Sequence, residues 1–180
     1  MKKFLAIITT ALLFGCTGIT GGFTMSGVKN GDHVWVDYIG TLNDGTLFDT
    51  SIESVAREHN AYQEGRGYTP IDFVVGEHKV IPGFEQGVLG MKVGETKKIV
   101  LTPEQAYGYP DPKMIIALPK EQLSTQLGGD VSIKKGMILI TNQNMQGIIT
   151  DVNETDVVVD FNNPLAGKTL NFEVTLVKKE

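Results

Sequence analysis

Val80-Ile81-Pro82-Gly83-Phe84-Glu85-Gln86-Gly87-Val88-Leu89-Gly90-Met91 is the stretch on which the fold turns. Phe84 and Val88 stand four apart, on one face of a helical turn, and Gly90 supplies a stop, so the spacing predicts one short helix over residues 82–89. Toward the C-terminus, Val93-Gly94-Glu95 leads into a strand over 95–101. Thr102-Pro103-Glu104-Gln105 then carries an N-cap threonine, a proline at the first helical position and a glutamine able to complete a capping box, ahead of Ala106-Tyr107-Gly108. Toward the N-terminus, residues 33–42 are rich in β-branched and aromatic side chains. They close at Asn43-Asp44-Gly45, which predicts a hairpin with a return strand over 46–51. Residues 71–75 read as a further strand, and the polar run 52–69 before them is too long for a simple connector, with a helical turn expected near 53–59.

Taken in order, Val36-Asp37-Tyr38, Asn43-Asp44-Gly45, Leu47-Phe48-Asp49-Thr50-Ser51, Val80-Ile81-Pro82-Gly83-Phe84 and Ala106-Tyr107-Gly108 resemble the FKBP family of peptidyl-prolyl isomerases. The resemblance covers about residues 29 to 180. It implies an α+β fold in which a curved antiparallel β-sheet packs on a short helix. It also implies an enzyme that uses no cofactor. By the same resemblance Tyr38, Asp49, Phe84 and Tyr107 are the catalytic candidates, while Phe48, Phe73, Val80, Ile81 and Phe172 bind substrate. Val80-Ile81 is expected to offer backbone groups to the peptide, Phe84 to form the pocket floor, and the Tyr107 hydroxyl to hold a substrate carbonyl. Asp49 is expected at the rim, orienting Tyr38 or polarising the surroundings of the bound carbonyl. Phe84 stands where the family often has tryptophan and Ile71 where it commonly has an aromatic wall; both keep the pocket apolar and change its shape. Without the motif order, aromatics at strand spacing read as plain core and Asp49 as a turn-capping carboxylate.

The family's last strand waits here until Thr169-Leu170-Asn171-Phe172-Glu173-Val174, so about fifty residues are inserted. Residues 114–161 predict a helix over 119–127 and three strands over 137–141, 145–152 and 156–161, separated by polar turns. In position and order this insert resembles the insert-in-flap domain of SlyD-type and archaeal FKBPs, with Asn162-Asn163-Pro164-Leu165-Ala166-Gly167 as the return to the main domain. That resemblance implies a chaperone-like binder of unfolded chains. A lobe this small leaves apolar surface uncovered, and Met114, Met137 and Met145 would make such a surface pliable. The competing reading is that these apolar residues are simply the core of a three-stranded sheet.

At the N-terminus, Lys2 and Lys3 precede an apolar run over 4–14 that ends at Gly15 and Cys16, the grammar of an export signal. Leu13-Phe14-Gly15-Cys16 resembles a lipobox, which implies cleavage before Cys16 and a lipid on its sulfur. The expected organisation is a signal peptide over 1–15, a flexible linker over 16–28, an isomerase domain over 29–113, the insert over 114–161 and the final strand over 162–180. The alternatives are an uncleaved anchor, since no charge falls between Phe4 and Val28, and simple secretion. All three readings place the domain outside the cytoplasm.

Composition narrows the function further. Of the 180 residues, 41% are hydrophobic and 21% charged, enough for a real core, and the net charge of -5 argues against a nucleic-acid binder. His33, His59 and His78 are scattered without ligand spacing, so no metal site is expected, and the chain stops at Val177-Lys178-Lys179-Glu180 without SlyD's histidine- and cysteine-rich tail. Gly83, Gly87, Gly90 and Gly94 lack a phosphate-loop pattern and read as turns and a helix stop. The expected protein is a monomeric isomerase acting on unfolded or partly folded proline-containing proteins and held to the membrane by lipid. Its rivals are a binding module or holdase with a lapsed pocket and a structural envelope lipoprotein.

Overall fold

β1 (His33–Thr41) alternates strictly, burying Val34, Val36, Tyr38 and Gly40 on one face, as a half-buried strand must. In the computed structural model, which describes residues 26–129, 131–142 and 144–180, this strand is the spine of a five-stranded antiparallel sheet. Cys16 and the apolar run before it lie outside the described residues. One edge of β1 carries two strands in tandem. β2 (Leu47–Thr50) pairs with its Ile39–Thr41 end, and β3 (Ile71–Val74) pairs with its His33–Val36 end. Between them the chain makes an excursion that contains α1 (Glu53–Glu58). The remaining strands are β4 (Thr96–Leu101) and the long β9 (Leu170–Lys179), giving the order β2-β1-β9-β4. The fold is therefore α+β.

Against this sheet lies α2 (Pro82–Val88), seven residues long. A helix so short, with glycine inside it, is not stable by propensity, so packing must hold it. Phe84 and Val88 bury against Tyr38, Phe73, Phe172 and Val174 in a single apolar cluster. Burial of each such side chain stabilises the fold by roughly 1.5–3 kcal/mol. Gly90 and Gly94 occupy the left-handed region, as expected of a stop and a turn. Gly83 and Gly87, however, are not turn residues. They face β4, where a β-carbon on Gly83 would lie 2.5 Å from Leu101 Cδ2 and one on Gly87 would overlap Ile99, so both let the helix backbone approach the sheet. The turn at Pro103–Gln105 carries the expected capping box, with Thr102 and Gln105 bonding reciprocally.

The inserted region forms a second sheet with its own core. β5 (Ile115–Pro119), α3 (Lys120–Gln126), β6 (Ile138–Ile140), β7 (Gln146–Val152) and β8 (Asp156–Asp160) follow one another, and the strands order as β5-β8-β7-β6. The sheet has four strands rather than the expected three, since Ile115-Ile116-Ala117-Leu118-Pro119 pairs along β8. Leu123, Ile149, Val157 and Val159 are its buried centre. Met137 packs against that centre and its sulfur accepts the Lys134 N–H (3.1 Å), and Met114 is half-buried, so only Met145 of the three methionines is exposed.

Candidate active site

Four aromatic rings meet where the Tyr38 end of β1, β9 and α2 converge. Phe84 packs edge-on against Phe172 (5.1 Å between centroids, 78°) and against Tyr38 (6.0 Å, 84°), and Phe48 packs edge-on against Phe172 (5.5 Å, 90°). Edge-to-face pairing brings the positive edge of one ring to the negative face of the next, so the rings form a rigid wall rather than a collapsed stack. They line a cleft of about 230 Å³ together with Asp49, Ile71, Lys79, Val80, Ile81 and Tyr107. Eight of the nine non-lipid site residues expected from the sequence therefore stand around one cavity. Phe73 does not: it is buried behind Phe84, 6.2 Å away, and supports the floor from within the core.

Asp49 bonds both the Tyr38 side chain and the neighbouring backbone. Its Oδ2 accepts the Tyr38 hydroxyl (2.7 Å), and its Oδ1 accepts the Thr50 N–H (2.9 Å) as a local cap. Burial first, then the hydrogen bond and charge of Asp49, push the Tyr38 hydroxyl far above the ordinary phenol range. Tyr38 is thus held as a neutral donor. Its backbone is pinned too, because the Thr50 hydroxyl and the Ser51 N–H both donate to the Tyr38 carbonyl (2.7 and 3.1 Å).

Arg66 is a partner of Asp49 that sequence reasoning missed. Its Nη2 donates to Asp49 Oδ1 (2.5 Å) and to the Thr50 carbonyl (3.2 Å), and the bond to Asp49 raises its already high pKa. The excursion that carries it is ordered by stacking: Arg57 lies 3.6 Å above Tyr62, Tyr62 stacks on Tyr68 (5.6 Å, 17°), and Arg66 sits 5.2 Å from Tyr68. No local signal marked Arg66, since its partner is seventeen positions away.

At the opposite wall the Ile81 carbonyl is taken by the Phe84 and Glu85 N–H groups (3.0 and 3.1 Å), whereas the Ile81 N–H donates to no described residue. Tyr107 is 41% exposed, and its hydroxyl bonds no described residue. Burial and, second, the charge of Asp49 hold that hydroxyl protonated above the usual phenol value. The cleft thus presents an aromatic floor, with the Ile81 N–H and the Tyr107 hydroxyl bonded to no described residue. A larger depression of about 650 Å³ on the insert, bounded by Lys120, Glu121, Ser124 and Glu154, has no aromatic wall. Among the described residues, no three His, Cys, Asp or Glu side chains come together as a metal-binding set.

The family model for FKBP-type peptidyl-prolyl cis-trans isomerase matches residues 25–177 of this chain. A short-type peptidyl-prolyl cis-trans isomerase of Methanocaldococcus jannaschii is 42% identical over 147 residues, 82% of this chain and 90% of that protein. The FKBP-type isomerase SlyD of Helicobacter pylori is 37% identical over 107 residues, 57% of this chain and 55% of its own length. The FKBP-type 16 kDa isomerase of Escherichia coli is 29% identical over 151 residues, 84% and 93% of the two chains.

Proposed function

The chain belongs to the FKBP-type peptidyl-prolyl cis-trans isomerase family, and on that premise we propose that it accelerates Xaa-Pro isomerisation non-covalently in the aromatic cleft, while its insert binds the client chain. An Xaa-Pro amide resists rotation because resonance gives its C–N bond partial double-bond character, with a barrier of about 18 to 20 kcal/mol. Uncatalysed exchange takes roughly 10 to 100 s. Planar amides are more dipolar than twisted ones, so an apolar cleft that removes water disfavours the planar form more. Lowering the barrier by about 4 kcal/mol gives roughly a thousandfold acceleration. No nucleophile or proton relay is required.

The observation that supports this reading most is the pairing of a closed aromatic floor with donors at its rim. Proline seats against Phe84, Phe172 and Phe48, and the Ile81 N–H and Tyr107 hydroxyl meet the carbonyls on either side. Tyr38, kept neutral and oriented by Asp49, adds a fixed dipole.

The insert's role is supported by its unpartnered apolar edge. β6 is an edge strand, and Ile138 and Ile140 on it are 56% and 70% exposed. Beside them a groove of about 350 Å³ is walled by Leu118, Leu123, Leu127 and Phe161. An unpaired backbone edge next to an apolar groove suits an extended polypeptide in any sequence register. This supports reading the chain as an insert-type member of its family. The signal-like N-terminus supports export with a lipid on Cys16, so that the clients are proteins folding outside the cytoplasm, met by a monomer.

The test is proline-limited refolding of a client protein, with whole protein and with protein lacking residues 114–161. Excision is feasible because the insert enters and leaves side by side, the Phe161 N–H donating to the Met114 carbonyl (3.0 Å). The whole protein should accelerate both refolding and short-peptide exchange, whereas the excised form should keep the second and lose much of the first. Acceleration of neither by folded protein rejects the isomerase reading and leaves a holdase.

A further inference from the structure

Glu85 is the only buried charged side chain among the described residues, 2% exposed, and nothing in the cleft chemistry uses it. It sits on α2 immediately after the floor residue Phe84, and its carboxylate faces the segment that joins β3 to the helix. Oε1 accepts the Gly76 N–H (2.9 Å) and the His78 N–H (3.2 Å), and Oε2 lies 3.1 Å from His78 Nδ1. Gly76 and His78 both adopt left-handed backbone conformations, with φ of 100° and 55°. For histidine that conformation is uncommon and persists only where surroundings enforce it. The carboxylate is what enforces it here: among the described residues, no backbone hydrogen bond holds the N–H groups of residues 78–81, which run directly into the wall of the cleft.

We propose that Glu85 is a positioning residue for isomerisation, clamping residues 76–79 so that the Ile81 N–H is held at a fixed place beside the Phe84 ring. One helix then sets both surfaces that the peptide meets, the floor through Phe84 and the donor wall through its neighbour. The carboxylate is buried while Gly76 and His78 are exposed, so removing it hands their N–H groups to water and frees the loop from that fixed anchor. Loosening the loop displaces the donor from the carbonyl, and misplacement by an ångström in such a contact lowers rate constants by one to two orders of magnitude. This inference rests on the isomerase reading of the cleft.

The experiment compares kcat/KM for exchange of a short Xaa-Pro peptide by wild type, Glu85→Ala, Glu85→Gln and Val88→Ala at low temperature, with folding checked by near-ultraviolet circular dichroism. Val88 is a buried core residue of the same helix that does not itself line the cleft and bonds neither Gly76 nor His78, so it controls for lost stability. Expected are a loss of about tenfold or more for Glu85→Ala and a smaller loss for Glu85→Gln, which keeps an acceptor. Val88→Ala should melt lower with kcat/KM unchanged. Glu85→Ala within twofold of an active wild type, or an equal loss in Val88→Ala, overturns the inference and leaves the isomerase reading standing. An inactive wild type sinks both. Should Glu85→Ala not fold, Glu85→Gln decides with amide hydrogen exchange. Faster exchange at Gly76 and His78 together with lowered kcat/KM supports the clamp, and either without the other overturns it.

Discussion

Replacing Asp49 by asparagine keeps the side chain's volume and removes its charge. In the native protein that charge strengthens three hydrogen bonds, from Tyr38 (2.7 Å), from Arg66 (2.5 Å) and from the Thr50 N–H (2.9 Å). Hydrogen bonds to charged groups contribute about 1.5–3 kcal/mol and neutral ones about 0.5–1.5 kcal/mol, so each bond is weakened by roughly 1 kcal/mol. The Arg66 and Asp49 side chains are each 34% exposed, and solvent screening reduces their share toward zero. The net expectation is about 1–2 kcal/mol, seen as a fall in Tm of roughly 2–8 °C. If most of this reaches the transition state through Tyr38, kcat/KM falls by about 5- to 30-fold. The assay is peptide exchange followed by nuclear magnetic resonance, beside a thermal melt. An unchanged kcat/KM would refute the role given to the Tyr38–Asp49 pair. A loss beyond about a thousandfold would refute the account differently, since effects of that size belong to proton transfer, which this mechanism does not use.

Tyr107→Phe should lower kcat/KM by less than about tenfold and leave the melt unchanged, because the hydroxyl bonds no other described residue. Equal loss of stability would show it to be structural. Tyr38 and Tyr107 hold their protons more tightly folded than unfolded. The stability they contribute is therefore fully present below the ordinary tyrosine value of about 10 and is lost as pH rises through the higher folded-state values. kcat/KM should accordingly be level from about pH 7 to 9, and a pH-rate profile with a sharp bell in that range would contradict it. Gly87→Ala drives a methyl into Ile99 and should cost about 1–3 kcal/mol. Ile99→Ala in the same chain should recover part of that in a denaturant melt, and no recovery would show that the close helix–sheet approach is not the cause.

The main sheet was legible because its strands announce themselves locally: β1 alternates over nine residues and a turn signal follows directly. The site was legible only through motif order, since Tyr38, Phe84 and Phe172 carry no mark that separates a cleft wall from a core. Phe73 illustrates the limit, being apolar, correctly spaced and one layer too deep. β5 escaped because Ile115-Ile116-Ala117-Leu118-Pro119 does not alternate in exposure and ends in proline, so its strand character comes from pairing with β8 about forty residues on. The close approach at Gly83 and Gly87 is likewise tertiary, decided by Leu101 and Ile99 on another element. Arg66 and Glu85 were hidden by their charge. Polar residues in a loop or a short helix read as solvated until a buried partner is seen.

The central claim is that an aromatic cleft without a nucleophile speeds amide rotation. It is tested most directly by the cis-to-trans exchange rate of a short Xaa-Pro peptide with catalytic amounts of residues 17–180 and of the Tyr107→Ala variant. The account predicts acceleration by the first, retained when water is replaced by deuterium oxide, and a marked loss in the second. No acceleration by protein whose melt shows it folded, or a large solvent isotope effect, would contradict it.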